Sequence, residues 1–415
     1  MGPAELLDYE KYAIKGLILE EGLHNAHVSI VARALRIPVI SLMTDALTKV
    51  EHGDVIILDG GKGEVIINPT EEQMEAFEIS QKIHIMKKED MQEQRNLEPV
   101  TLDGVRISLT LNAGSLLDMA TLQEDVIDGV GLYRTEIPFM MESSMPDVRT
   151  QERLYQDVFE KAMGKIVTFR TLDIGGDKVL PYLRESDDMN PLLGWRAIRM
   201  GLDRPMLLRY QMRALLYASQ GRAFRIMFPM VASLNEFLRA KHLFKIECDR
   251  ARENGYKVAD NIKVGSMVEV PSFAWKLSEA IPHLDFISIG SNDLFQFFFA
   301  ADRTNLHMVG RYESLSKSFL TFLKSIIETA NNENVPVSLC GEMAAKPLEA
   351  SVLLALGLRT LSISPHAVPQ VKRAIRSLNL EEFSSFLGYL FENSFSTFRQ
   401  EIKSYAIDHS ILLEE

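Results

Sequence analysis

From residue 105 to residue 364 the chain alternates short apolar runs with longer stretches whose apolar positions recur at helical spacing. The runs are Val105–Leu111, Gly129–Arg134, Ile166–Leu172, Phe224–Met230, Lys263–Glu269, Phe286–Ser291, Val335–Gly341 and Thr360–Ser364. Near-continuous apolar segments of this length, each followed by a helical stretch, are the pattern of parallel strands covered on both faces. Eight such units predict an α/β fold, a (β/α)8 TIM barrel, in which functional residues come from the C-terminal ends of the strands.

The front of the chain has a different pattern. Ile14–Glu20, Arg36–Ile40, Asp54–Leu58 and Glu64–Asn68 are β-branched and strand-like, His27–Leu35 is helical, and Asp59-Gly-Gly-Lys-Gly63 predicts a hairpin turn. Residues 1–68 are therefore expected to be a small, partial α/β domain. Residues 69–98 turn polar, with Glu, Gln, Lys and Met at helical spacing, and are expected to be a helical linker before a domain spanning 99–415.

Composition narrows the function without naming it. Hydrophobic residues at 46% and charged residues at 25% are those of a soluble globular protein. No apolar run is long enough to cross a membrane and no secretory signal pattern is present, so a cytoplasmic location is expected with no membrane insertion. Two cysteines, Cys248 and Cys340, make no disulfide framework. A net charge of -12 argues against nucleic acid as a partner.

Candidate chemistry lies where the runs end. Arg134, Arg170, Glu269, Asn292 with Asp293, and Cys340 stand at or just beyond the last positions of five strands, where they would form one rim. With Arg196 and Arg303 they set several guanidiniums around a common mouth, which suits a phosphate or carboxylate anion. Glu269 and Asp293 supply two carboxylates, the number that Mg²⁺ takes from protein when substrate oxygens and water complete its shell. The alternative is that these carboxylates merely pair with the arginines, and that Ser291-Asn292-Asp293 only caps a helix. Cys340 is either a proton donor to a carbanion-like carbon or a buried structural thiol. His27 opens a helix, where an imidazole can attack an arriving phosphoryl group; a surface or capping role is the plainer reading.

Five motifs carry a resemblance: Gly-Val-Gly-Leu-Tyr-Arg-Thr-Glu136, Arg-Thr-Leu-Asp-Ile-Gly-Gly-Asp-Lys178, Asn190-Pro-Leu-Leu-Gly-Trp-Arg-Ala-Ile-Arg199, Gly-Ser-Asn-Asp293 and Leu-Cys-Gly-Glu342. With them the chain resembles the phosphoenolpyruvate–protein phosphotransferase family, enzyme I of the phosphotransferase system, and most of all its nitrogen-related branch. The resemblance implies an N-terminally truncated member, without the helical domain that docks the carrier. It implies a mobile phosphohistidine domain at 1–68 and a barrel at 99–415 that binds phosphoenolpyruvate (PEP) and forms a homodimer. Arg134, Arg170, Arg196, Asn292 and Arg303 would bind substrate, and Glu269 and Asp293 would bind Mg²⁺. Cys340 would protonate the enolate as pyruvate leaves. His27 would take the phosphoryl group and pass it to a histidine-containing phosphocarrier protein. Rival expectations are a PEP- or pyruvate-binding regulator without relay activity, an ATP-using dikinase or synthase on the same barrel, and a Mg²⁺-dependent lyase.

Overall fold

The structure is a computed structural model that describes residues 14–20, 37–43, 45–60, 62–141, 144–175, 190–302, 305, 307–308, 310–393 and 397–413. His27, Arg303, the expected helix His27–Leu35 and the second half of the Asp173–Lys178 turn lie outside these residues. The chain divides into two compact units, Met1–Asp90 and Met91–Glu415.

In the first unit, strands β1 (Leu17–Ile18) and β2 (Val39–Ile40) pair in parallel, and β3 (Ile56–Asp59) pairs antiparallel with β4 (Glu64–Ile67). Asp59 faces Glu64 across the ladder, so the expected glycine-rich turn does close a hairpin. Gly63, at φ +70°, supplies the left-handed conformation that this turn needs. The polar stretch forms the helix Glu71–Arg95, which contains the boundary between the units.

The second unit is the barrel. Strands β5 (Ser108–Ala113), β6 (Gly129–Arg134), β7 (Ile166–Arg170), β8 (Arg225–Phe228), β9 (Lys263–Val268), β10 (Ile287–Ile289), β11 (Val337–Leu339) and β12 (Thr360–Ile363) follow one another around a closed sheet, β12 pairing with β5. Every neighbouring pair is parallel. All eight expected strands are present: β6 has the expected bounds, β5 begins and ends later than expected, and the other six are shorter.

Two apolar layers account for closure. The larger lies between the sheet and its helices and includes Leu109, Phe169, Ile226, Phe237, Leu323 and Val352. The smaller fills the barrel interior with Leu132, Met227, Met267, Phe286 and Cys340, the packed interior expected of a barrel with this strand number. Gly265 leaves room for it, since a methyl there would sit 2.7 Å from the Phe286 ring.

Helix caps fix where the return helices begin. Ser233 accepts from the backbone of Glu236, and the Glu236 carboxylate accepts from the backbone of Ser233, a reciprocal cap on the helix Leu234–Glu253. The helix Pro205–Ser219 buries Gln211 along with Leu208, Met212 and Leu215. A buried amide is costly unless bonded, and Gln211 is bonded to Leu172, Thr135 and Tyr155 at the end of β7.

Candidate active site

Arg170 ends β7 with its guanidinium almost wholly buried. Its Nη2 donates to Glu136 Oε1 at 2.7 Å, and its Nη1 lies 3.2 Å from Asp173 Oδ2. The Asp173 backbone N–H donates to the same Glu136 oxygen. Behind this, Gln211 accepts from Leu172 N–H and donates to Thr135 and Tyr155, while Thr135 donates to the Arg170 carbonyl. The strand end is thus held by a buried polar network, which leaves the arginine one orientation. Burial disfavours its charge, but Glu136, Asp173 and Glu269 outweigh that and hold it above its ordinary value. Arg170 Nε makes no hydrogen bond among the described residues. Arg134 ends β6 and is exposed at the edge of the same cavity.

The carboxylates stand opposite. Glu269 follows β9 and accepts at 2.5 Å from the backbone of Met230, which follows β8. Asp293 sits in the first turn of the helix Ser291–Phe298. Burial, then Asp293, then Asp173 push the Glu269 carboxyl up to about 8. Gly290 leaves room for the Glu269 carboxylate, since a Cβ there would come within 2.7 Å of Glu269 Oε2.

Gly290 is also the cap position of that helix, and no side chain caps it. The capping reading of Ser291–Asp293 therefore does not describe this turn, because the helix begins early enough to take all three residues into its first turn. Asn292 turns instead to the next loop. Its Oδ1 accepts from Glu342 N–H at 2.9 Å and its Nδ2 donates to Glu342 Oε1 at 3.2 Å.

Cys340, just after β11, is buried with its sulfur 3.6 Å from the Ile289 carbonyl. Burial pushes its thiol up, so the sulfur carries its proton at neutral pH. The other cysteine, Cys248, is buried in the helix Leu234–Glu253 and its thiol is pushed up to about 11 by the same cause.

These groups line one cavity of about 190 Å³, whose wall contains Arg134, Arg170, Glu269, Asn292, Asp293 and Cys340. Arg196 is not part of that wall. It lies one layer behind, with Nε and Nη2 on Asp173 and Nη2 3.7 Å from Asp293 Oδ2.

Among the described residues no three His, Cys, Asp or Glu side chains gather as a metal cluster. The buried carboxylates that face the cavity are Glu269 and Asp293, Glu269 being pushed toward protonation by burial and then by Asp293, while the exposed Glu342 lines the same cavity. Hard oxygen donors in that number fit a hard divalent cation that draws the rest of its shell from substrate and water.

The chain matches the family model for the PEP-binding domain of PEP-utilising enzymes over residues 88–380, and that for their mobile domain over residues 1–63. It is 40% identical over 380 residues to a phosphoenolpyruvate-protein phosphotransferase of Staphylococcus carnosus, covering 92% of this chain and 66% of that one. A protein of the same name from Staphylococcus aureus is 38% identical over 382 residues, covering 92% of this chain and 67% of that one. The chain belongs to the phosphoenolpyruvate-protein phosphotransferase family. One from Bacillus sp. is 38% identical over 380 residues, 92% of this chain and 66% of that one. The chain spans about two thirds of the length of the curated relatives it matches.

Within that family frame, sequence reasoning overlooked Glu136, Asp173 and Glu342 as parts of the site. Each sits inside a motif already singled out. For Glu136 and Asp173 the available signal was charge balance, since arginines buried at a strand end need carboxylates close by.

Proposed function

We propose that the chain takes the phosphoryl group of PEP onto His27 and releases pyruvate, with Mg²⁺ as its metal. The observation that carries this reading is that arginines, a carboxylate pair and a protonated buried thiol line one small cavity. Arg134 and Arg170 bind the phosphate, joined by Asn292 and by Arg303, while Arg196 supports them from behind Asp173 and Asp293. Glu269 and Asp293 hold the metal, which when bound neutralises charge on the phosphoryl and enolate oxygens.

The P–O bond to the enol oxygen breaks as a bond forms from phosphorus to an imidazole nitrogen of His27. The enolate left behind takes the Cys340 proton on its methylene carbon and becomes pyruvate. A thiol is suited to this because its raised pKa keeps the proton available and drives its return from water after each turnover. Preorganised arginines supply most of the remaining rate, since phosphoryl transfer asks the protein chiefly for positioning and charge.

In this reading, residues 1–68 are the mobile phosphohistidine domain, 69–98 the hinge-bearing linker and 99–415 the PEP-binding and homodimer-forming barrel. A histidine-containing phosphocarrier protein is the next acceptor, and the setting is the cytoplasm. No described helix is long and apolar enough to cross a membrane. Phosphorus-labelled PEP with Mg²⁺ tests the reading. Label should appear on the wild-type chain and not on His27→Ala. No label on wild type, or equal label on both, contradicts the transfer.

A further inference from the structure

Charges at and behind the cavity wall form a chain, Glu136, Arg170, Asp173, Arg196 and Asp293, of which Arg170 and Asp293 line the cavity. Asp173 is its centre, 1% exposed, with Arg170 Nη1 at 3.2 Å from Oδ2 and Arg196 Nη2 at 2.8 Å from Oδ1. Arg196 Nε also reaches Oδ1 at 3.2 Å, and Nη2 reaches Oδ2 at 3.0 Å. The Arg196 guanidinium is therefore forked on Asp173 while only 3.7 Å from Asp293 Oδ2. It is 1% exposed, and its Nη1 makes no hydrogen bond among the described residues.

Stranding a buried guanidinium by removing its carboxylate is costly, and closing on another carboxylate already within reach offsets that cost. For Arg196 that next carboxylate is Asp293. We infer that Asp173 is a positioning residue that withholds Arg196 from the metal-binding carboxylate, so that a divalent cation rather than a guanidinium occupies it. This rests on the proposed metal role of Glu269 and Asp293.

The consequence concerns metal affinity, and it is separable from overall stability. Asp173→Asn keeps the shape and removes the charge, which frees Arg196 to close on Asp293 and compete with the cation. Outer groups that orient metal ligands are commonly worth about 10–100-fold in affinity. The expected loss for Asp173→Asn is of that order. Replacing Arg196 as well removes the competitor, so Asp173→Asn/Arg196→Met should bind metal nearly as the wild type does.

The test is a Mn²⁺ titration of the full chain by electron paramagnetic resonance, which counts free cation without needing turnover. Circular dichroism melts accompany each variant. The expected result is about 10–100-fold weaker Mn²⁺ binding in Asp173→Asn, regained in the double variant. Arg196→Met alone, which serves if Asp173→Asn does not fold, should bind Mn²⁺ more tightly than wild type. Unchanged affinity in folded Asp173→Asn, or a double variant as weak as the single, overturns the positioning role. Wild type that binds no Mn²⁺ overturns the metal reading, and the inference with it.

Discussion

At Glu247 two arginines close on a carboxylate with no exposed side-chain area. Arg209 Nε donates at 2.6 Å to one oxygen and Arg213 Nε at 2.8 Å to the other. Burial alone would push this carboxyl up, but hydrogen bonds from Arg213 and Arg209 outweigh it and hold the group below its ordinary value. The cavity rim uses the same residue types in another way. There Glu269 is pushed up to about 8, and buried nitrogens on Arg170 and Arg196 make no hydrogen bond among the described residues. The first cluster is complete in itself and staples the helix Pro205–Ser219 to the helix Leu234–Glu253. The second is unbalanced around a space. An unbalanced buried cluster beside a cavity fits a site completed by something charged from outside, which in the proposed function is a cation and an anion together.

Neutralising one carboxylate in each cluster should therefore have opposite effects. Glu269→Gln should lower PEP turnover by at least about 10³-fold through loss of metal charge stabilisation, while raising the melting temperature of the metal-free protein. Glu247→Gln should cost about 3–5 kcal/mol of stability by stranding two arginines, with activity per folded molecule unchanged. Denaturant unfolding and steady-state assays on both variants check this. If Glu269→Gln melts lower than wild type without metal, the rim is not repulsive and the contrast collapses.

The thiol gives the next effect in size. Cys340→Ala should slow pyruvate formation by about 10²-fold, the usual worth of a positioned proton donor. PEP affinity measured by calorimetry should stay within about threefold. A matched loss in affinity would assign the cysteine to packing in the barrel interior instead.

The Glu269 carboxyl also predicts a pH dependence. The folded chain keeps the Glu269 proton up to about 8, whereas the ordinary value is 4.5. Over that interval the folded state binds the extra proton, so metal-free stability is greatest below the ordinary value and falls as pH rises through about 8. A bound cation requires the ionised form. Metal affinity should accordingly rise by up to about tenfold per pH unit across the window and level off above it. Affinity that is flat from pH 6 to 8 would contradict the shift.

The barrel was legible in the sequence because strands buried on both faces leave unbroken apolar runs. Polar residues at their ends, such as Arg170 and Glu269, stood out against that background. Depth was not legible. Arg196 reads like the other arginines, yet the paired segments around Ile174 and Ala197 carry it behind the wall, where Ala197 N–H donates to the Ile174 carbonyl. Gly175, at φ +98°, permits that approach, since a Cβ there would meet the Trp195 carbonyl at 2.8 Å. Glu342 was hidden for another reason: its tie to Asn292 spans fifty positions of chain between two strand ends, and no local pattern records it. Strand ends were overrun because apolar residues continue into the loops, as at Phe286 before β10 and Val335 before β11.

In the proposed function the rim is incomplete without both cation and anion, and calorimetric titration of PEP into the full chain tests this directly. With Mg²⁺ present, saturable binding at one site per chain is predicted, and with the metal chelated that binding should be lost or weakened at least about tenfold, a coupling of about 1.4 kcal/mol. Equal PEP affinity with and without Mg²⁺ would contradict it.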